Sequence, residues 1–91
     1  MLLIIFQHAH LWRVKYYKDT KFIKAFGKNL RKIRLQKGMS QEYLADEVGI
    51  PTNQVGRIER GEVNTSISTA NALANSLGIK VVELFEFIEK E

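Results

Sequence analysis

Residues 40–61 read SQEYLADEVGIPTNQVGRIERG, and the spacing inside this stretch restricts the chain to very few local geometries. Ala45 follows Gln41 by four residues, Gly49 comes four later, and Val55 six after that. Two short helices joined by a tight turn need this layout. A small side chain at Ala45 lets the two helices approach closely. Gly49 ends the first helix, where positive φ is wanted. Val55 returns an apolar side chain from the second helix to the same core. The result is a helix-turn-helix.

The second helix of such a motif suits the major groove of DNA. The charge distribution points the same way. Residues 1–40 hold ten Lys/Arg and one acid, a balance of +9, and residues 41–91 hold four Lys/Arg and nine acids, a balance of −5. One end of the molecule therefore attracts polyanions and the other repels them. A basic helix could be solvated only; beside a helix-turn-helix it reads as a nucleic-acid surface.

Ninety-one residues make one small domain with a modest core and little room for a large active-site cleft. With no cysteine, there is no disulfide framework or thiolate metal site, which fits a reducing cytoplasm. His8 and His10 stand alone, so no metal and no cofactor are expected. No nucleophile–base–orienter set appears, and Ser40, Ser66, Ser68 and Ser76 read as caps or helix surface, which points away from an enzyme. The apolar run Leu2–Phe6 is too short for a signal peptide and has no basic start. A membrane span needs about 20 apolar residues, and none is present.

Residues 1–19 differ in composition from the rest, with the only Trp and both His. They read as an N-terminal extension whose order stays open. It could add a strand or helix that covers the domain or swaps between chains, or it could be an unordered leader from an upstream start codon. The remainder, 20–91, reads as five helices with short connections and no strand pattern, an all-α fold. Thr20 is expected to cap a helix running to about Lys37, with Ile23, Phe26, Leu30 and Ile33 inward. Gly27 inside it costs about 1 kcal/mol relative to Ala, for which close packing is the expected reason. Ser40 caps a helix to Val48, with Leu44, Ala45 and Val48 inward. The third helix spans Thr52–Arg60, with Val55 and Ile58 inward. Ser66 caps a fourth to Leu77, with Ile67, Ala70, Leu73, Ala74 and Leu77 at core spacing. A fifth, about Val81–Ile88, carries Val82, Leu84, Phe85 and Ile88. Its load of large apolar residues exceeds what one face can bury, and the surplus predicts a dimer contact through Leu84, Phe87 and Ile88.

The segments NLRKIRLQKGMSQEYLA, VGIPTNQVGRIERGE and STANALANSLGIKVVELFEF resemble the Xre family of lambda-repressor-like, Cro-type helix-turn-helix domains, over about 65 of 91 residues. The resemblance implies a compact five-helix domain with the helix-turn-helix at helices 2 and 3. It implies base-edge contacts from Thr52, Asn53, Gln54 and Arg57. It implies that Gln41 bonds a phosphate and buttresses the recognition helix, with Ser40 beside it at the backbone. The loop Gly61–Thr65, including Asn64, corresponds to one that follows the phosphates, and Arg31 is the best phosphate candidate on the first helix. Arg34 and Glu59 correspond to a pair joining the first helix to the third. The side-chain chemistry agrees: Asn and Gln can bond adenine, and Arg can bond guanine bidentately.

The chain departs from the family pattern in several places. Pro51 stands where a Ser or Thr cap is usual, so Thr52 could take the cap and shift the groove-facing set by one. Gly56 replaces a frequent Ser and loosens the helix. Thr65 replaces a common Pro. The loop lacks the frequent basic residue, and Glu62 repels phosphate.

The reading is a sequence-specific DNA-binding regulator, a repressor that occupies an operator as a homodimer. Roles implied by the resemblance are a phage or mobile-element repressor, a controller of a restriction–modification operon, or an antitoxin. The alternative is a protein-interaction adaptor, with a toxin or other protein partner and little DNA readout.

Overall fold

In a computed structural model, which describes residues 18–87, the first helix starts one residue earlier than the sequence predicts. Asp19, not Thr20, is the cap: its carboxylate accepts from the Phe22 amide at 3.0 Å, and α1 spans Thr20–Gln36. An ionised acceptor suits the positive end of the helix dipole better than a hydroxyl. Helix α2 covers Gln41–Val48 and is capped by Ser40, whose hydroxyl accepts from the Tyr43 amide at 2.9 Å. Helix α3 covers Thr52–Glu59. Helix α4 covers Ile67–Leu77 and is capped by Ser66, which accepts from the Thr69 amide at 3.1 Å. No strand occurs among the described residues.

The expected fifth α-helix is not formed; Val81–Phe85 is a 3-10 turn, leaving four α-helices among the described residues. Two adjacent β-branched valines favour helix weakly. The Asn29 amide of α1 also donates to the carbonyls of Glu83 and Leu84, at 3.0 and 2.9 Å. Those carbonyls are the ones an α-helix would offer to residues 87 and 88. The turn is thus clamped to α1 before an α-helix can propagate.

All five elements supply the core. Phe26 and Leu30 come from α1, Leu44 and Ala45 from α2, Val55 and Ile58 from α3, Ala70, Leu73, Ala74 and Leu77 from α4, and Leu84 from the 3-10 turn. Each fully buried Leu or Ile contributes about 1.5–3 kcal/mol relative to exposure. Two inward assignments fail. Ile67 is 89% exposed and Val82 58%. Ile67 sits at the start of α4, where its azimuth is right but it lies beyond the axial end of the core. Val82 is two residues from the buried Leu84 in a 3-10 turn and so faces another way.

The close contact expected at Gly27 is between α1 and the end of α3. A Cβ there would lie 2.5 Å from the Glu59 carbonyl oxygen and closer still to that of Ile58. Only a hydrogen in place of the side chain permits this crossing. It holds α3 against α1 with its other face free.

Candidate nucleic-acid interface

The turn between α2 and α3 is short. Gly49 takes φ +88°, and Pro51 is extended at φ −63°, ψ 146°. Pro51 flanks α3 without a side-chain cap bond. The cap does not pass to Thr52, which is the first helical residue, so the register shift does not arise.

On α3, Val55, Gly56, Ile58 and Glu59 are buried. Thr52, Asn53 and Arg57 are exposed and Gln54 is half-buried. At 100° per residue, Asn53, Arg57 and Arg60 lie within one narrow stripe pointing away from the core. Arg60 was not among the residues expected at the site; its seven-residue offset from Asn53 is the signal that points to it.

The buried side of α3 is fixed by an ionic network. Arg34 donates to Glu59 through Nε to Oε2 at 2.6 Å and Nη2 to Oε1 at 3.0 Å. Its Nη1 donates to the Met39 carbonyl at 2.7 Å, tying the α1–α2 turn to the same group. Gln41, the first residue of α2, donates through Nε2 to Glu59 Oε1 at 3.0 Å. The Gln41 amide thus lies over α3, beside Gly56. No buried side-chain nitrogen or oxygen among the described residues lacks a partner.

The helix ends in a charged cluster. Arg60 Nε donates to Glu62 Oε2 at 2.8 Å and Nη2 to Oε1 at 3.3 Å, and Arg57 Nε lies 3.7 Å from Glu62 Oε1. The bond from Arg60 draws the Glu62 carboxyl below the usual range, and the bond to Glu62 raises the Arg60 guanidinium.

The other expected contacts are more dispersed. Arg31 is exposed on α1, and Ser40 is exposed while serving as the α2 cap. Asn64 is exposed and borders an apolar groove with Phe22, Phe26 and Ile67; no hydrogen bond joins it to α3. The expectation that Leu84 meets a second copy is not met, because Leu84 is 0% exposed inside the chain's own core. Phe87 is half-buried, its ring 5.2 Å from that of Phe22. Ile88 and residues 1–17 lie outside the described residues. No described helix is long and apolar enough to cross a membrane.

A family model described as helix-turn-helix matches residues 30–84. The control protein C.MunI of a Mycoplasma species is 37% identical over 67 residues, 72% of this chain and 90% of that protein. The immunity repressor of Bacillus phage phi105 is 34% identical over 55 residues, 60% of this chain and 38% of the repressor. The crystal structure of the restriction-modification controller C.AhdI from Aeromonas hydrophila matches with a TM-score of 0.68 at 43% identity, over 69% of this chain and 96% of that one.

Proposed function

The chain belongs to the helix-turn-helix family of Xre, lambda-repressor-like proteins and is a DNA-binding transcriptional regulator; we propose that it represses by occupying an operator as a homodimer, reading bases through α3. The observation that carries this is the division of α3 into two faces. One is locked by Arg34, Glu59 and Gln41, and the other presents Thr52, Asn53 and Arg57 to solvent. A rigid back and a polar front are what base readout demands, since side chains reach base edges only when phosphate contacts and scaffold fix their register. Gln54, at the margin, reads a flanking base. Ser40, Gln41, Arg31 and Asn64 serve the backbone.

One eight-residue helix reads few bases. A twofold dimer sets two such helices about 34–36 Å apart, one turn of DNA. Phe87, with Ile88 beyond it, is the remaining apolar candidate for the dimer contact. The DNA-binding unit begins near residue 20, with residues 1–19 as an extension, and the protein acts in the cytoplasm. Among the roles open to such a regulator, control of a restriction–modification operon has support from the likeness to C.AhdI over nearly its whole length.

Selection from a random duplex pool tests the proposal. The expected product is a two-part site with half-sites one helical turn apart, bound by two chains as measured by light scattering of the complex. A pool that stays random, with all duplexes binding equally weakly, overturns it and favours the adaptor alternative.

A further inference from the structure

Four helices end in the same backbone device, and one of the four carries a different kind of side chain. In each, an amide donates to a carbonyl five residues back: Met39 to Arg34 at 3.1 Å, Ile50 to Ala45 at 3.0 Å, Glu62 to Arg57 at 2.9 Å, and Ile79 to Ala74 at 3.0 Å. A glycine of positive φ precedes each donor: Gly38, Gly49, Gly61 and Gly78. These are Schellman closures, in which the residue after the glycine normally packs an apolar side chain against its own helix. Met39, Ile50 and Ile79 do so and lie against the core. At the end of the recognition helix the position is Glu62, and it is exposed.

The closure brings Glu62 back over the last turn of α3, where its carboxylate meets Arg60 bidentately and approaches Arg57. The place of the turn is itself fixed. Gly61 lies so close to α1 that a Cβ would fall 2.5 Å from Lys24 Cγ. The Arg60 head in turn occupies the space that Gly56 leaves empty, since a Cβ at Gly56 would lie 3.0 Å from Arg60 Nη1. The Glu62 backbone is therefore held at the C-terminal end of α3 by the closure, and its carboxylate is directed there by Arg60.

We propose that Glu62 is a specificity-determining residue: it holds Arg60 away from DNA phosphates and offsets the charge of Arg57, so that only base contacts by Arg57 justify bringing this end of α3 to a duplex. This rests on the reading of α3 as the recognition helix. Any phosphate, whatever the sequence, must compete with Glu62 for Arg60 and sit near a carboxylate. That penalty falls fully on random DNA. On the cognate site base contacts by Arg57 fix the register of α3 with Arg60 still paired to Glu62, so no phosphate competes for Arg60 and the penalty does not arise. Arg60 is then a latent phosphate ligand, and Glu62 acts through it as a positioning residue.

The test compares Glu62→Gln with wild type on the selected duplex and on a random duplex across a salt series. Glu62→Gln is expected to tighten random-duplex binding about three- to tenfold at low salt and the selected duplex less, lowering the ratio between them. The slope of log K against log salt should steepen by about one phosphate equivalent. Arg60→Gln introduced with Glu62→Gln should cancel most of the gain. The melting temperature should stay unchanged, because bridges this exposed contribute little to stability. A wild type with sequence preference whose ratio and salt slope are unmoved by Glu62→Gln overturns this inference alone. A wild type without preference overturns the recognition reading and this inference together.

Discussion

Arg34 and Glu59 face each other through two parallel bonds, at 2.6 and 3.0 Å, with both side chains almost wholly buried. The pair spans 25 residues and joins α1 to the back of the recognition helix. Desolvation makes such a pair a weak source of net stability, but removal of one partner strands the other charge in the interior. Arg34→Ala is therefore expected to cost about 3–5 kcal/mol, enough to unfold much of the population of so small a domain. Urea melts followed by circular dichroism would show it, and an unchanged midpoint would refute the assignment. Arg34→Lys should also destabilise, since a point charge cannot form the fork.

Gln41 shares Glu59 with Arg34, yet lies nearer the surface. Gln41→Ala leaves the stronger pair intact, so the loss in stability should be about 1 kcal/mol. The loss in DNA affinity should be larger, because the same amide is proposed to meet a phosphate beside α3. Calorimetric melting and a gel shift on the selected site separate the two effects. Equal losses in both would reduce Gln41 to a structural residue.

Gly27 and Gly56 both sit inside helices and give opposite expectations for the same substitution. At Gly27 an added methyl meets backbone oxygens of α3, which cannot move without displacing the recognition helix. Gly27→Ala is expected to destabilise by about 1–3 kcal/mol in spite of its helix propensity. At Gly56 the nearest obstacle is the tip of Arg60, 3.0 Å away, on a side chain that can swing. Gly56→Ala should therefore stabilise by about 0.5–1 kcal/mol. Denaturant midpoints for the two variants check the contrast, which vanishes if glycine acts here only through propensity.

Much of this arrangement is legible in the chain. The Ala45–Gly49–Val55 spacing carries the helix-turn-helix, and Ser40 and Ser66 mark two helix starts correctly because a hydroxyl followed by a periodic apolar run has few other uses. What is not legible depends on tertiary context. Periodicity assigns Ile67 an inward azimuth but says nothing of how far the core extends along α4. The clustered apolar residues of 81–88 read as a helix with a surplus, yet Asn29, more than 50 residues upstream, takes the carbonyls of Glu83 and Leu84 and Leu84 fills the core. The repulsive sign of Glu62 was readable. Its partnership with Arg60 was not, because it follows from a closure that returns the chain over α3.

Arg57 offers the most direct probe of readout. It is half-exposed, four residues after Asn53 on the same stripe, and its contact with Glu62, at 3.7 Å, is loose enough to be exchanged for a base. A bidentate bond to guanine discriminates by about 1–3 kcal/mol at one position. Arg57→Ala should therefore lower affinity by about five- to 150-fold for each half-site and relax preference at a single base pair per half-site, with the other positions still read. Repeating the selection with the variant measures this directly. A uniform loss over all sequences would instead make Arg57 a phosphate ligand, and discrimination would then rest on Asn53 and Gln54.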